Sequence, residues 1–384
     1  MTAFLVFGRR TGTAASPAGE SSKEGLMYGY EQMCSFKNLY NAHLAARRGK
    51  RDKAEVIRFE MNLAENLCNL QKELTEKTYY PRGYKHFMIY EPKARSIYAP
   101  DYADRVVQHC LCDNILMPTF ERRLIYDNAA CRIGKGTHFS MDRLSGFMRE
   151  FYQKHGTEGY FLKCDVRKYF DSISHTILKQ KLSKVFDGEI FMLLCRIIDS
   201  YETSKDAGLP LGNQASQWFA LYYLDGVDRL IKERLRIKFY VRYMDDFILI
   251  HSDKNYLHNC LGEIRQLCET GLKIELNEKT QIFPVKNGVD YLGWHFYLTE
   301  TGKVIRKLRT SNKRRLKRRM RKKAQDYHDY LLNFDDIKRS SASTNGHLSH
   351  GHTYRLRQKL AWEMAYTRGD GEDVKTNQIR SDMT

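Results

Sequence analysis

The spacing of hydrophobic positions changes several times along the chain, and each change predicts an element. Over Ala54 to Thr75, apolar residues fall at Val56, Phe59, Leu63, Leu67, Leu70 and Leu74, the three-and-four spacing of one amphipathic helix. After Tyr79-Tyr80-Pro81, the runs Phe87 to Tyr90 and Arg95 to Tyr98 predict two strands joined around Glu91-Pro92-Lys93-Ala94. Asp104 to Met117 predicts a helix with Asp104 as N-cap and a stop at Pro118. The apolar run from Tyr160 predicts a strand leading into Asp165. Gly208 to Gln217 interrupts the helical period, and a helix is expected from Ser216 with Trp218, Phe219, Tyr222 and Tyr223 as its aromatic face. Phe239 to His251 predicts a tight hairpin, because two β-branched and aromatic runs flank Asp245-Asp246. Apart from Arg242 both runs are apolar on both faces, so the hairpin is expected in a core with its acidic tip exposed at a sheet edge. Gly271 to Thr280 predicts a strand and turn. From Asn312 the period is helical again, with Leu316, Met320, Ala324, Tyr327 and Leu331 on one stripe. Met1 to Gly25 and Thr367 to Thr384 are polar and aperiodic and are expected to be disordered.

Composition narrows the class. With 384 residues there is room for two or three subdomains. No run of ~18 apolar residues occurs, so no membrane span is expected. The nine cysteines are scattered without a Cys-x-x-Cys pair, which fits reduced thiols in a cytoplasmic protein and argues against zinc. Lys and Arg exceed Asp and Glu by 64 to 46, a net charge of +18. Between Lys303 and Lys323 there are thirteen Lys or Arg and no acid, a density suited to a phosphate-bearing partner.

The candidate chemistry lies in the carboxylates. Adjacent Asp245 and Asp246 repel one another, and a bound divalent cation relieves that cost; an open, oxygen-rich site suits Mg²⁺. Asp165, at the end of a neighbouring strand, adds the carboxylate that a two-metal phosphoryl-transfer site requires. Arg132 and Lys135, in the glycine-bearing stretch Ala130 to His138, are candidates for tracking phosphates. Gly212 offers bare backbone to a base pair or template strand.

Tyr243-Met244-Asp245-Asp246 matches the Tyr-X-Asp-Asp signature of reverse transcriptases, and Asp165 with Phe170 matches their first catalytic motif. The chain therefore resembles a bacterial reverse transcriptase over roughly residues 33 to 369. The fold this resemblance implies is α+β, a right-hand polymerase with fingers, a palm of antiparallel sheet plus helices, and a helical thumb. The boundaries it implies are an N-terminal extension 1–32, fingers 33–158 and 176–215, palm 159–175 and 216–300, basic thumb 301–370 and tail 371–384. It implies RNA-directed DNA synthesis with two Mg²⁺ ions, replaceable by Mn²⁺, held by Asp165, Asp245, Asp246 and the Val166 carbonyl. Lys93 and Arg95 match positions that meet the nucleotide triphosphate, Phe170 the aromatic that rejects a 2′-hydroxyl, and Lys279 a lysine near the leaving pyrophosphate. Asp290 to Phe296, with Gly293 and Trp294, resembles the primer grip. Tyr243 and Met244 would face primer or template, as would Lys313, Arg314, Lys317 and Arg318 of the thumb. Arg105, Gln108 and His109 resemble a fingers helix whose outward face lies near template.

Ser216-Gln217 stands where most of the family carries Ser-Pro, as in diversity-generating retroelements and in several poorly assigned bacterial lineages; Gln217 is thereby a nucleotide-site candidate, and resemblance to the first group implies low fidelity at template adenines. The implied partners are template RNA, RNA–DNA hybrid, deoxynucleotides and a small basic accessory protein. An antiphage or unassigned bacterial reverse transcriptase is the alternative, and a catalytically idle RNA-binding module is the reading from another class. Residue-level alternatives also stand: core packing for Phe170 and Trp294, surface charge for Lys93 and Arg95, pairing with Glu275 or Glu278 for Lys279, and structural or phosphate-contacting roles for His347, His350 and His352.

Overall fold

The computed structural model describes residues 29–90, 93–201 and 206–365. The two terminal segments expected to be disordered, and Glu91-Pro92, lie outside the described residues. The chain divides into two compact units, Met1–Arg143 with Leu162–Ile282, and Leu144–Phe161 with Phe283–Thr384. Among the described residues no helix is long and apolar enough to cross a membrane. All nine cysteines are free thiols.

In the first unit, the expected helix over Ala54 to Thr75 is two helices, Ala54–Met61 and Leu63–Thr75, broken at Asn62. The apolar spacing survives the break, and Val56, Phe59, Leu67, Leu70 and Leu74 are buried. Strands β1 (Tyr84–Ile89) and β2 (Arg95–Pro100) form a separate antiparallel hairpin whose first strand is largely exposed. The next helix, Tyr102–Leu111, is capped by Asp101 and not by Asp104. Asp104 is instead buried and accepts from Tyr79 Oη at 2.9 Å and from the Arg82 backbone at 2.7 Å. Pro118 does not stop this helix. The chain widens into a π turn over Cys112–Leu116, and Pro118 sits in the first turn of Met117–Glu121, where a missing N–H costs nothing.

The main sheet has strand order β4-β5-β3-β6, with β3 at Tyr160–Cys164, β4 at Phe239–Tyr243, β5 at Asp246–His251 and β6 at Gln281–Pro284. The strand expected within Gly271 to Thr280 is a single bridge, Leu276 to Val166, and the sheet takes Gln281–Pro284 instead. Edge strand β4 is covered: Arg242 N–H donates to Asp127 O, and Ala129 N–H donates to Arg242 O. The helix Gln214–Tyr223 begins two residues before Ser216, because Asn213 Oδ1 accepts from the N–H groups of Ala215 and Ser216. Its four aromatic residues are buried on more than one face.

In the second unit, β7 (Val289–Tyr291), β8 (Trp294–Leu298) and β9 (Val304–Leu308) form an antiparallel meander. Leu292 and Gly293 both take positive φ in the two-residue turn, as a type I′ hairpin requires. The basic stretch is the helix Thr310–His328, with Leu316, Met320 and Ala324 buried. Leu331 lies beyond its end and is exposed, so the stripe is shorter than expected. The helices Phe334–Leu348 and Tyr354–Ala365 follow.

Candidate active site

The β4–β5 hairpin turns where the apolar runs predict it. Tyr243 pairs with Asp246, leaving Met244 and Asp245 as the two central residues. Met244 has φ +56°, a left-handed conformation uncommon for a long side chain, and it persists because neighbours hold it. Arg242, fully buried, donates from Nη1 to the Met244 carbonyl at 2.9 Å and from Nη2 to Leu221 O at 3.1 Å. Its charge is met by buried Asp228, at 2.7 Å from Nε and 2.5 Å from Nη2. Tyr240 Oη donates to the same carboxylate at 2.6 Å. The single cation in an apolar strand is thus a brace for the turn. The sequence signal was that lone charge; its partner Asp228, 14 residues earlier in the chain, carried none.

Asp165 follows β3 directly. Its backbone carbonyl accepts from Asn277 N–H, and the Asn277 side-chain amide donates to its Oδ2 at 3.2 Å. Around the Val166–Leu276 bridge the ladder bonds come from Asp165 O and Arg167 N, which leaves the Val166 carbonyl outside that ladder. Lys163, two residues before Asp165, reaches 3.5 Å from Asp246 Oδ2. This contact brings the end of β3 against the start of β5.

The acidic tip was expected to be exposed, but Asp165, Asp245 and Asp246 are all half-buried. Burial is the main cause raising their pKa values. Asp245 is pushed up to about 6, with the Asp165 charge adding to burial while Arg95 and Arg242 oppose it. Asp246 is pushed up to about 7 by burial, with Lys163 opposing and Asp165 and Asp245 adding. Asp165 is raised by burial against the charges of Lys163, Lys93 and Lys279. The charges that oppose this rise come from Lys163, Arg242 and Lys279, and from Lys93 and Arg95 at the β1–β2 hairpin.

The three carboxylates were expected to converge as a cluster. Among the described residues no three His, Cys, Asp or Glu side chains form a ready-made metal site, and Asp246 is engaged by Lys163. The donors nevertheless fit a hard cation. They are all oxygen, and Asp246 Oδ1 is buried without a hydrogen-bond partner. Mg²⁺ commonly takes only one or two carboxylates and completes its shell with water and phosphate oxygens.

The other candidates separate into two groups. Lys279 is exposed and makes no ion pair with Glu275 or Glu278; Glu275 pairs with Arg167 at 3.4 Å. Phe170 is partly exposed, edge-on to Tyr169 at 5.8 Å, whereas Tyr169 is buried in the core. Gln217 is half-buried, and its Oε1 accepts from the Cys131 thiol at 2.9 Å. Lys313, Arg314 and Arg318 are exposed on the basic helix, and Lys317 partly so.

Several expectations require correction. Arg132 does not track phosphates: it is 8% exposed, paired with Glu121 at 2.7 Å, and donates to the Ile125 and Asn128 carbonyls. Lys135 donates to Tyr126 O at 2.6 Å and lies 4.3 Å from the Tyr126 ring centroid. Gly212, at φ +110°, has its backbone against β2, where an added Cβ would come within 3.0 Å of Ile97. Tyr243 and Met244 are buried at 7% and 6%. Trp294 is core, 1% exposed, with His347 at 5.5 Å from its ring centroid. Gly293 faces Asn312, whose amide donates to its carbonyl at 3.0 Å. Gln108 is buried and does not face outward; Arg105 pairs with Glu55 at 2.6 Å.

Among solved structures, a telomerase from Candida albicans with a TWJ fragment of telomeric RNA matches at 14% identity and a TM-score of 0.46, over 67% of this chain and 55% of that one. Apo telomerase from Candida tropicalis matches at 16% identity and 0.45, over 61% and 49%. Its form truncated from the C-terminal domain matches at 18% and 0.44, over 58% and 54%. The chain spans about half the length of these telomerase chains. Among curated proteins none matches the chain. The family model described as reverse transcriptase (RNA-dependent DNA polymerase) matches residues 91–296, which include the β1–β2 connection, Asp165, the Asp245-Asp246 turn and Lys279. The chain belongs to the reverse transcriptase family, with its α+β right-hand polymerase fold.

Proposed function

We propose that the protein is an RNA-directed DNA polymerase that adds deoxynucleotides to a primer 3′-hydroxyl. The observation that carries this reading is the Asp245-Asp246 turn held against the end of β3, where Asp165 follows, by the Lys163–Asp246 contact at 3.5 Å. Asp165 and Asp245 would be the principal holders of two Mg²⁺ ions, with Asp246 and the Val166 carbonyl assisting. When bound, such ions lower the charge on the reacting phosphate and promote loss of the 3′-hydroxyl proton. Arg95 binds the triphosphate as a fork and Lys93 as a point charge. Phe170 rejects a 2′-hydroxyl by its bulk. Lys279 offsets charge on the leaving pyrophosphate or gives it a proton. The basic helix holds an A-form hybrid through its phosphates.

Within this activity the Ser216-Gln217 pair favours a diversity-generating role: copying a dedicated template RNA with low fidelity at adenines, beside a small basic accessory protein. The Cys131 thiol donates to Gln217 Oε1, so a nucleotide at this residue would meet the amide N–H₂.

Primer extension on an RNA template with Mg²⁺ tests the activity, and sequencing of the product DNA tests the fidelity. Extension by the wild type is expected, with Asp245→Asn reducing it more than about a hundredfold, beyond the ~10–100-fold typical of outer-shell metal partners. A folded wild type that extends no primer with Mg²⁺ or Mn²⁺, or an Asp245→Asn protein of full activity, would rule the proposal out.

A further inference from the structure

The second unit contains a cavity of about 440 Å³ that the polymerase chemistry does not use. It is walled by Ser145 and Arg149 of the helix Thr137–His155, Lys303 and Arg306 around β9, and Ser349 and His352 after the helix Phe334–Leu348. Among the described residues no Asp or Glu lines it. Its volume lies within the roughly 300–1,000 Å³ of small-molecule sites and is closer to one nucleotide than to a continuous strand.

The wall is held in place. Arg306 N–H donates to His352 Nδ1 at 3.1 Å, and His352 N–H donates back to Arg306 O at 2.8 Å, so the turn after Leu348 is stitched to β9. Arg306 Nε donates to Ser145 Oγ at 2.9 Å, tying the helix to the same strand. Between His350 and His352, which also line the cavity, Gly351 lies directly on the Trp294 indole, where an added Cβ would come within 2.1 Å of the ring. Because Nδ1 of His352 is an acceptor, the neutral ring carries its proton on Nε2 and remains a donor without being charged. Burial and the Lys303 and Arg306 charges lower the His352 pKa, as expected in a positive local field.

We propose that this pocket binds the terminal phosphate of a nucleotide, either at the 5′ end of a nucleic-acid strand or on a free nucleotide. The Arg149 guanidinium, the Lys303 ammonium, the His352 imidazole N–H and the Ser145 hydroxyl give more donors than the two non-bridging oxygens of a phosphodiester require, and Arg306 adds its charge while it donates to Ser145 Oγ and His350 O. A phosphomonoester has three terminal oxygens and a second negative charge, and so matches the wall better. The site makes no use of Asp165, Asp245 or Asp246, so it stands or falls separately from polymerase activity.

Fluorescence anisotropy of the full chain at fixed ionic strength, with one labelled oligoribonucleotide carrying either a 5′-phosphate or a 5′-hydroxyl, tests this. The phosphorylated form is expected to bind on the order of tenfold tighter, as hydrogen bonds to a charged group allow. Arg149→Ala with Lys303→Ala, both exposed side chains, should erase the difference while the thermal midpoint and the residual binding persist. The Asp165→Asn protein should retain it. If millimolar 5′-AMP competes the advantage away, a free nucleotide suffices; if only the strand is recognised, the ligand is a strand end. Equal affinity for the two oligonucleotides in the wild type, with no competition by 5′-AMP, would overturn the proposal.

Discussion

Arg242 shows how much one side chain can govern at this site. Its guanidinium is wholly buried against Asp228 while bonding the carbonyl of a strained Met244, so the geometry of Asp245 depends on a pair that never touches a substrate. Removing one partner of a buried ion pair leaves the other uncompensated, and Arg242→Met is expected to lower stability by about 3–5 kcal/mol. Joining it to Asp228→Leu should restore much of the thermal midpoint but not primer extension, because the Met244 carbonyl still lacks its clamp; calorimetry beside an extension assay checks both. His109 makes a second, pH-dependent prediction. Burial, then Lys50, Arg105 and Arg48, lowers its pKa to about 4, below the ~6.5 of an unfolded histidine. Between these values the unfolded chain binds the extra proton, so stability rises with pH from about 4 to 6.5 and is lost on acidification. The His109→Gln protein should show a flatter dependence in urea titrations across that window.

At the scale of elements, caps and breaks decided where the predicted helices begin and end. Asn213 starts the helix that carries Gln217 one turn later, and its side chain is the partner of two N–H groups that would otherwise be orphaned. Asn213→Ala is expected to cost about 1 kcal/mol in urea denaturation. Periodicity showed the amphipathic stretch over Ala54 to Thr75 but not its division at Asn62, because the break keeps the buried residues on one side. Likewise Asp104 has the chemistry of an N-cap, yet Asp101 performs that role, and nothing local distinguishes the two: Asp104 is drawn away by Tyr79 and Arg82, over twenty residues earlier.

For the whole molecule, the excess of positive charge predicts how it meets nucleic acid. If the helix Thr310–His328 contacts phosphates, replacing Lys313, Arg314, Lys317 and Arg318 by alanine should weaken RNA binding uniformly across sequences. The slope of log affinity against log salt should then become shallower by roughly 0.7–0.9 for each phosphate that is no longer neutralised. An unchanged slope would remove this helix from the interface. Leu316, Met320 and Ala324, the buried residues of the helix, are untouched, so the fold should survive the replacement.

The β4–β5 hairpin, its acidic turn and the basic helix were legible from the chain alone, because each is written in neighbouring residues as a period of two, a turn or a run of charge. Family resemblance followed from the same short-range signals. Which cations are available was decided only in three dimensions. Arg132 and Lys135 looked alike as phosphate ligands until Glu121 and the Tyr126 carbonyl engaged them, and Trp294 looked like a primer contact until it closed over His347 and Gly351. The partners of Arg242 and Asp246 also escaped the sequence. An ion pair is set by distance in space, and local spacing carries no record of which distant residue will be folded beside it.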